Sequence, residues 1–224
     1  MARVTTTSQG LQRTIRLAIG PLAGASERFV SHPRAAEIYP KYLVSMLAVM
    51  RGILAVMGAA RDHARMLARE DAVAAGIVPY LEKHLDEELG HDAWVVDDLH
   101  ALGLHDATDV ITPSVAIARL IGCQYYWTYH AHPVAVLGYL LVAEGEPTSP
   151  ATVERLREAT GLPTAAFRTL FEHAELDGSH GAELAALLDE LPLTEAHERL
   201  LAVSAATTAA LMAEALDEVI GSVR

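Results

Sequence analysis

The chain has 224 residues, 51% of them hydrophobic, a formal net charge of −12 and a single cysteine. That length allows one domain with a substantial core, the acidic balance without a basic cluster argues against nucleic acid as a main partner, and the lone Cys123 excludes an intramolecular disulfide and suits a reducing compartment. Met1 to Gly10 is polar, unlike a signal peptide, and Arg51 and two glycines interrupt the nearest approach to a membrane span, Leu43 to Ala60, so the expectation is a cytoplasmic protein with no membrane partner.

Residues 1 to about 20 read as a loose tail followed by a short amphipathic piece, ahead of a helical domain over 21–224. Pro33 opens a long helix over about 34–69, with Pro40 near its start, where a proline is tolerated. A second helix is predicted over about 72–102, ended by Gly103. The next starts near Pro113-Ser114, runs through Gln124-Tyr-Tyr-Trp-Thr-Tyr129, and is kinked or split by Pro133 before Glu144. A short helix follows over about 151–160, then one over about 164–190, then an amphipathic one over about 194–220. Strand-like alternation is absent, so the chain is predicted to be a single all-α domain of about seven helices.

The helix over 164–190 carries His173, Asp177 and His180 as His-x3-Asp-x2-His. Neighbours three and four apart stack over each other on a helix, so these side chains share one face. Two imidazoles and a carboxylate converging from one face suit Fe(II), Mn(II) or Zn(II). Two further segments add donors. Within His84-Leu-Asp-Glu-Glu-Leu-Gly-His91, Glu88 and His91 stand at i, i+3 with His84 on the same face. Pro133 to Ala143 carries no charge and ends at Glu144, so that segment is expected to be buried and its carboxylate to need a partner or a metal. Together these residues would hold two metal ions in a helical core.

The position facing the array is open between Glu88 and His84. His84 could orient Glu88 as an outer partner or replace it as a ligand. Glu87 substitutes for Glu88 if the register slips by one. A substrate pocket is expected along the kinked helix, from Tyr126, Tyr129, His130 and Leu137. Cys123 on the same helix is either an inert core residue or a nucleophile.

Taken together, Glu88 and His91, then Glu144, then His173, Asp177 and His180 resemble the haem-oxygenase-like di-iron oxidases and oxygenases, the iron-containing redox enzymes. The phrases Glu-Glu-Leu-Gly-His-Asp at 87–92 and Leu-Gly-Tyr-Leu at 137–140 add to the likeness, which covers about residues 30–220. The resemblance implies a seven-helix haem-oxygenase-type fold without haem, two Fe(II) ions, and O2 as co-substrate. It further implies Glu88, Glu144 and Asp177 as binding or bridging carboxylates in catalysis, with His91, His173 and His180 as terminal ligands. Oxidative decarboxylation, N-oxygenation and C–C cleavage in natural-product biosynthesis are the implied chemistries. The substrate would be a small amine, amino acid or carboxylic acid, and a homodimer and an external electron donor are compatible partners. Two other functions remain open: a metal-independent hydrolase or oxidase of the same fold, in the manner of thiaminase II with Cys123 at its centre, and a ferritin-like iron-handling protein.

Overall fold

The structure is a computed structural model that describes residues 7–106, 112–145 and 148–223; within the helix over 168–190, the side chain of Asp177 lies outside the described residues. The first described element is helix α1, Thr7–Ala18, which buries Leu11 and Ile15. Its start is tied down because Ser8 donates from both its backbone N and its Oγ to the Asp189 carboxylate, at 2.8 and 2.9 Å.

Helix α2, Gly20–Val30, follows with a proline in its first turn. Helix α3, Ala35–Leu67, is 33 residues long and contributes to both core clusters. By length and composition α3 and the last helix could each cross a membrane. Both also contribute apolar residues to the core.

The helix expected over 72–102 is two, α4 (Ala72–Glu88) and α5 (His91–Ala101). Gly90 sits between them at φ +93°, a left-handed conformation that breaks the ladder and turns the chain. The expected split at Pro133 is present between α6, Val115–His130, and α7, Ala135–Ala143. These breaks give more helical segments than the seven expected, within an all-α chain.

Every residue of α7 from Ala135 to Val142 is buried. A Cβ on Gly138 would come within 2.6 Å of the Leu201 carbonyl, so only glycine lets α7 lie this close to the last helix. Helix α8, Pro150–Thr160, is capped by Ser149. A 3-10 turn, Thr164–Phe167, leads into α9, Arg168–Glu190, and α10, Glu195–Gly221, closes the fold. Helix α10 packs on α1, α2, α6 and α7, while α3 packs on α4, α5 and α6.

Two contacts fix where α9 begins. The fully buried Asp98 of α5 accepts hydrogen bonds from the Arg168 and Thr169 backbone N–H groups, both at 3.0 Å. It thereby satisfies two of the donors that a helix start leaves unpaired. Tyr39 donates from Oη to the Ala166 carbonyl at 2.7 Å and stacks on Phe167 with ring centroids 4.3 Å apart.

Candidate metal centre

Helices α4, α5, α7 and α9 bring six donor side chains together as two adjoining groups. One is His84, Glu144 and His180; the other is Glu88, His91 and His173. In each group the donor atoms all lie within 4.8 Å of one another. The division follows the helix axes. His84 and Glu88 stand one turn apart on α4, so each belongs to a different group rather than one shared position, and the break at Gly90 lets α5 restart with His91 beside Glu88. Likewise His173 and His180, two turns apart on α9, belong one to each group. Asp177, between them in sequence, lies outside the described side chains.

In the first group His84 donates from Nε2 to Glu144 Oε1 at 3.0 Å. The other oxygen, Glu144 Oε2, lies 3.6 Å from His180 Nδ1, and Glu88 Oε1 lies 3.8 Å from the same nitrogen. Glu144 Oε2 and His180 Nδ1 are both buried with no hydrogen-bond partner. A buried orphan donor or acceptor costs about 1–3 kcal/mol. Two donor atoms about 2.1 Å from a common ion are separated by roughly 3–3.5 Å. The orphan pair is spaced close to that, and the donor set therefore fits a metal ion.

In the second group His91 donates from Nδ1 to Glu88 Oε2 at 3.1 Å. His173 donates from Nδ1 to the Thr169 carbonyl at 2.9 Å, which leaves its Nε2 as the atom free to bind. The indole of Trp94 stacks on His91 at 4.0 Å and meets His173 edge-on at 5.8 Å, so it holds both rings. Tyr80 stacks on His84 at 5.4 Å in the same manner.

The electrostatics differ between the groups. Burial pushes the His84 imidazole down, but its hydrogen bond to Glu144 and the nearby Glu88 and Glu87 charges carry it above the ordinary value. For His91 burial prevails over Glu88, and the ring is held below that value.

A cavity of about 780 Å³ opens onto this centre at Glu88, Glu144 and His173. Its walls are mainly apolar, with Met46, Met50, Ile53 and Met57 from one face of α3, and Met212 from α10. The residues expected to line a pocket lie elsewhere. Tyr126 and Tyr129 are exposed, His130 is exposed beside them, and Leu137 is fully buried in the core. None of these lines the cavity. The face that α6 turns inward is instead Ile117, Leu120, Gln124 and Thr128.

Sequence reasoning missed Asp98 and the methionines. Both left a signal: Asp98 interrupts the apolar stripe Val95, Leu99, Leu102, and Met46, Met50, Ile53 and Met57 recur at helical spacing. Cys123 is outside the cavity lining and donates from Sγ to the Leu120 carbonyl at 3.1 Å. Burial pushes its thiol up, the opposite of what a nucleophile needs.

A third close group, Asp71, His132 and His197, has a different character. His132 Nδ1 accepts from Val134 N at 3.1 Å and His197 Nδ1 accepts from Thr194 N at 3.3 Å. Both neutral rings therefore carry their proton on Nε2, and His132 donates it to Asp71 at 3.1 Å. Asp71 also caps α4 at Ala74 N, so this group is a latch between helix starts.

Burial pushes Asp71 up, but its bonds to Ala74 and His132 hold it below the usual carboxylate range, while burial takes His132 below its ordinary value. As pH falls below about 6.5, an unfolded His132 would take up a proton before the folded one, so its stabilising contribution is lost through that window. The Asp71 contribution is lost further down, as pH falls from about 3.8 through its folded value. Lowering the pH from 7 to 5 is expected to cost wild type more melting temperature than it costs His132→Gln. Equal slopes for the two proteins would contradict the latch.

A family model described as iron-containing redox enzyme matches residues 55–214. A search of curated proteins finds no significant match. Among solved structures, a domain of unknown function with a heme oxygenase-like fold from Shewanella denitrificans superposes with a TM-score of 0.77 at 17% identity, covering 94% of this chain and 90% of that one. Heme oxygenase-1 from the cyanobacterium Synechocystis, in complex with heme, gives 0.70 at 12% identity, covering 97% and 93%. A TenA homolog from Pseudomonas syringae gives 0.62 at 12% identity, covering 92% of each. These likenesses establish a haem-oxygenase-like fold.

Proposed function

The chain belongs to the iron-containing redox enzyme family, and on that premise we propose that it is an O2-dependent non-haem di-iron oxidase or oxygenase. The observation that carries this reading is the pair of adjoining groups, each of two histidines and one carboxylate, at the inner end of an apolar cavity. Two imidazoles and a carboxylate are a donor set that suits Fe(II).

In this proposal His84, Glu144 and His180 hold one ion, and Glu88, His91 and His173 hold the other. Glu88 lies where it could serve both, since its Oε1 is 3.8 Å from His180 Nδ1 of the other group while its Oε2 meets His91. Asp177 is proposed as a further carboxylate ligand from its place between the two histidines of α9. Two Fe(II) ions would supply electrons to O2, with the substrate or an external donor furnishing the remainder.

The chain's own residues do the rest. The carboxylates lower the charge of the centre, and the four imidazoles bind only when neutral, so loading displaces protons. Met46, Met50, Ile53 and Met57 exclude water and position an apolar body against Glu88, Glu144 and His173. This supports a small amine, amino acid or carboxylic acid with a largely apolar frame. The placement of Cys123 outside the cavity speaks against a thiol-centred hydrolase.

The test is anaerobic loading with Fe(II), followed by exposure to O2. Two irons per chain, with a visible absorption band after O2 is admitted, are expected. Absence of iron uptake would refute the proposal.

A further inference from the structure

Each histidine of the His84, Glu144, His180 group points one ring nitrogen inward and the other at a single outer carboxylate. His84 faces Glu144 with Nε2, and His180 faces Glu144 and Glu88 with Nδ1. Their opposite nitrogens, His84 Nδ1 and His180 Nε2, lie 4.0 and 3.9 Å from the same atom, Glu87 Oε2. The other oxygen of Glu87 receives Lys83 Nζ at 2.9 Å. Lys83 is fixed in turn by Glu183 of α9.

Resting on the di-iron reading above, we infer that Glu87 is a positioning residue that orients both His84 and His180 for metal binding. A histidine binds a metal through a nitrogen that carries no proton, so its proton must sit on the opposite nitrogen and needs an acceptor there. Here one carboxylate oxygen lies within 4.0 Å of both outer nitrogens. The side chain of Glu87 is about one-third exposed, at 36%. It therefore has room to close the remaining gap, or to bridge it through one water.

Lys83 holds the carboxylate from outside. It lies beyond the rings, so its charge anchors Glu87 without entering the centre. The second group has no part in this arrangement: His173 gives its outer proton to the Thr169 carbonyl instead. Loss of Glu87 should therefore weaken one ion and spare the other.

The experiment is anaerobic titration of the full chain with Co(II), followed by visible absorption, beside thermal melting of the metal-free proteins. Wild type is expected to bind two ions. Glu87→Ala should bind one of them about 10–100-fold more weakly, with the other within about twofold and with an unchanged melting temperature. Glu87→Gln keeps an oxygen that accepts a ring N–H and should recover most of that loss. Lys83→Met, which removes the outer ion pair and leaves the carboxylate, should bind both ions nearly as wild type does.

Equal affinities in Glu87→Ala and wild type overturn the inference. So does a Glu87→Gln variant as impaired as Glu87→Ala, since that marks Glu87 as a direct ligand. A Lys83→Met variant as impaired as Glu87→Ala overturns it as well, because the effect would then belong to the surface ion pair. A wild-type chain that binds no metal refutes the di-iron reading and this inference together, whereas two ions in wild type with no effect of Glu87→Ala refutes this inference alone.

Discussion

His180→Ala is expected to take up one iron per chain where wild type takes up two. The imidazole supplies the nitrogen that faces both Glu144 Oε2 and Glu88 Oε1. Removing an outer-shell partner typically costs 10–100-fold in metal affinity, so loss of a ligand should exceed about 100-fold at that ion. The metal-free fold should lose little, within about 1–2 kcal/mol. His180 Nδ1 and Glu144 Oε2 make no hydrogen bond to lose, and the bond from His84 to Glu144 Oε1 remains.

The two effects separate in a melting experiment. Iron at about 100 times its dissociation constant stabilises by about 2.7 kcal/mol per ion, which in a chain of this size is roughly 5–10 °C. His180→Ala should lose the share contributed by one ion and retain the other. Two irons bound at unchanged affinity would show that His180 is not a ligand.

The second large effect concerns a residue that touches no metal-binding atom. Asp98→Ala should destabilise the chain by about 2–4 kcal/mol, a fall in melting temperature of roughly 5–15 °C. Two backbone N–H groups at the start of α9 would lose the carboxylate they donate to. The loss is partly offset because burial already pushes the Asp98 carboxyl up, a sign that its charge is costly there.

The consequence for the centre should be uneven. His173 stands one turn into α9 and is tied to the Thr169 carbonyl, next to the atoms that Asp98 holds. His180 lies two turns further along and is set by the contact of α9 with the end of α7. There a Cβ on Gly181 would come within 3.1 Å of the Glu144 carbonyl. Iron held by Glu88, His91 and His173 should weaken in Asp98→Ala, while iron held by His84, Glu144 and His180 is retained. Equal weakening of both ions would show that α9 moves as a rigid body.

The helical class, the bounds of α3, α9 and α10 to within a few residues, and five of the residues that converge could be read from the sequence alone. Helical periodicity and the prolines are local signals, and metal-binding residue types at helical spacing are scarce enough to stand out. Glu88, His91, Glu144, His173 and His180 were all legible in this way. The separation of His84 from Glu88 was not. It depends on which side chains of α5, α7 and α9 come to stand opposite each turn of α4, and that is set by packing between helices distant in sequence.

The cavity was misplaced for a related reason. The aromatic segment of α6 looked like a pocket wall, but its core-facing stripe is Ile117, Leu120, Gln124 and Thr128, which turns Tyr126 and Tyr129 outward. Which face of a helix meets a neighbour is settled by the packing of the whole bundle. The same packing gave the wall to the methionines of α3, and brought two histidines seven residues apart into two different groups rather than one. Local chemistry chose the donors; long-range packing divided them into two sets of three.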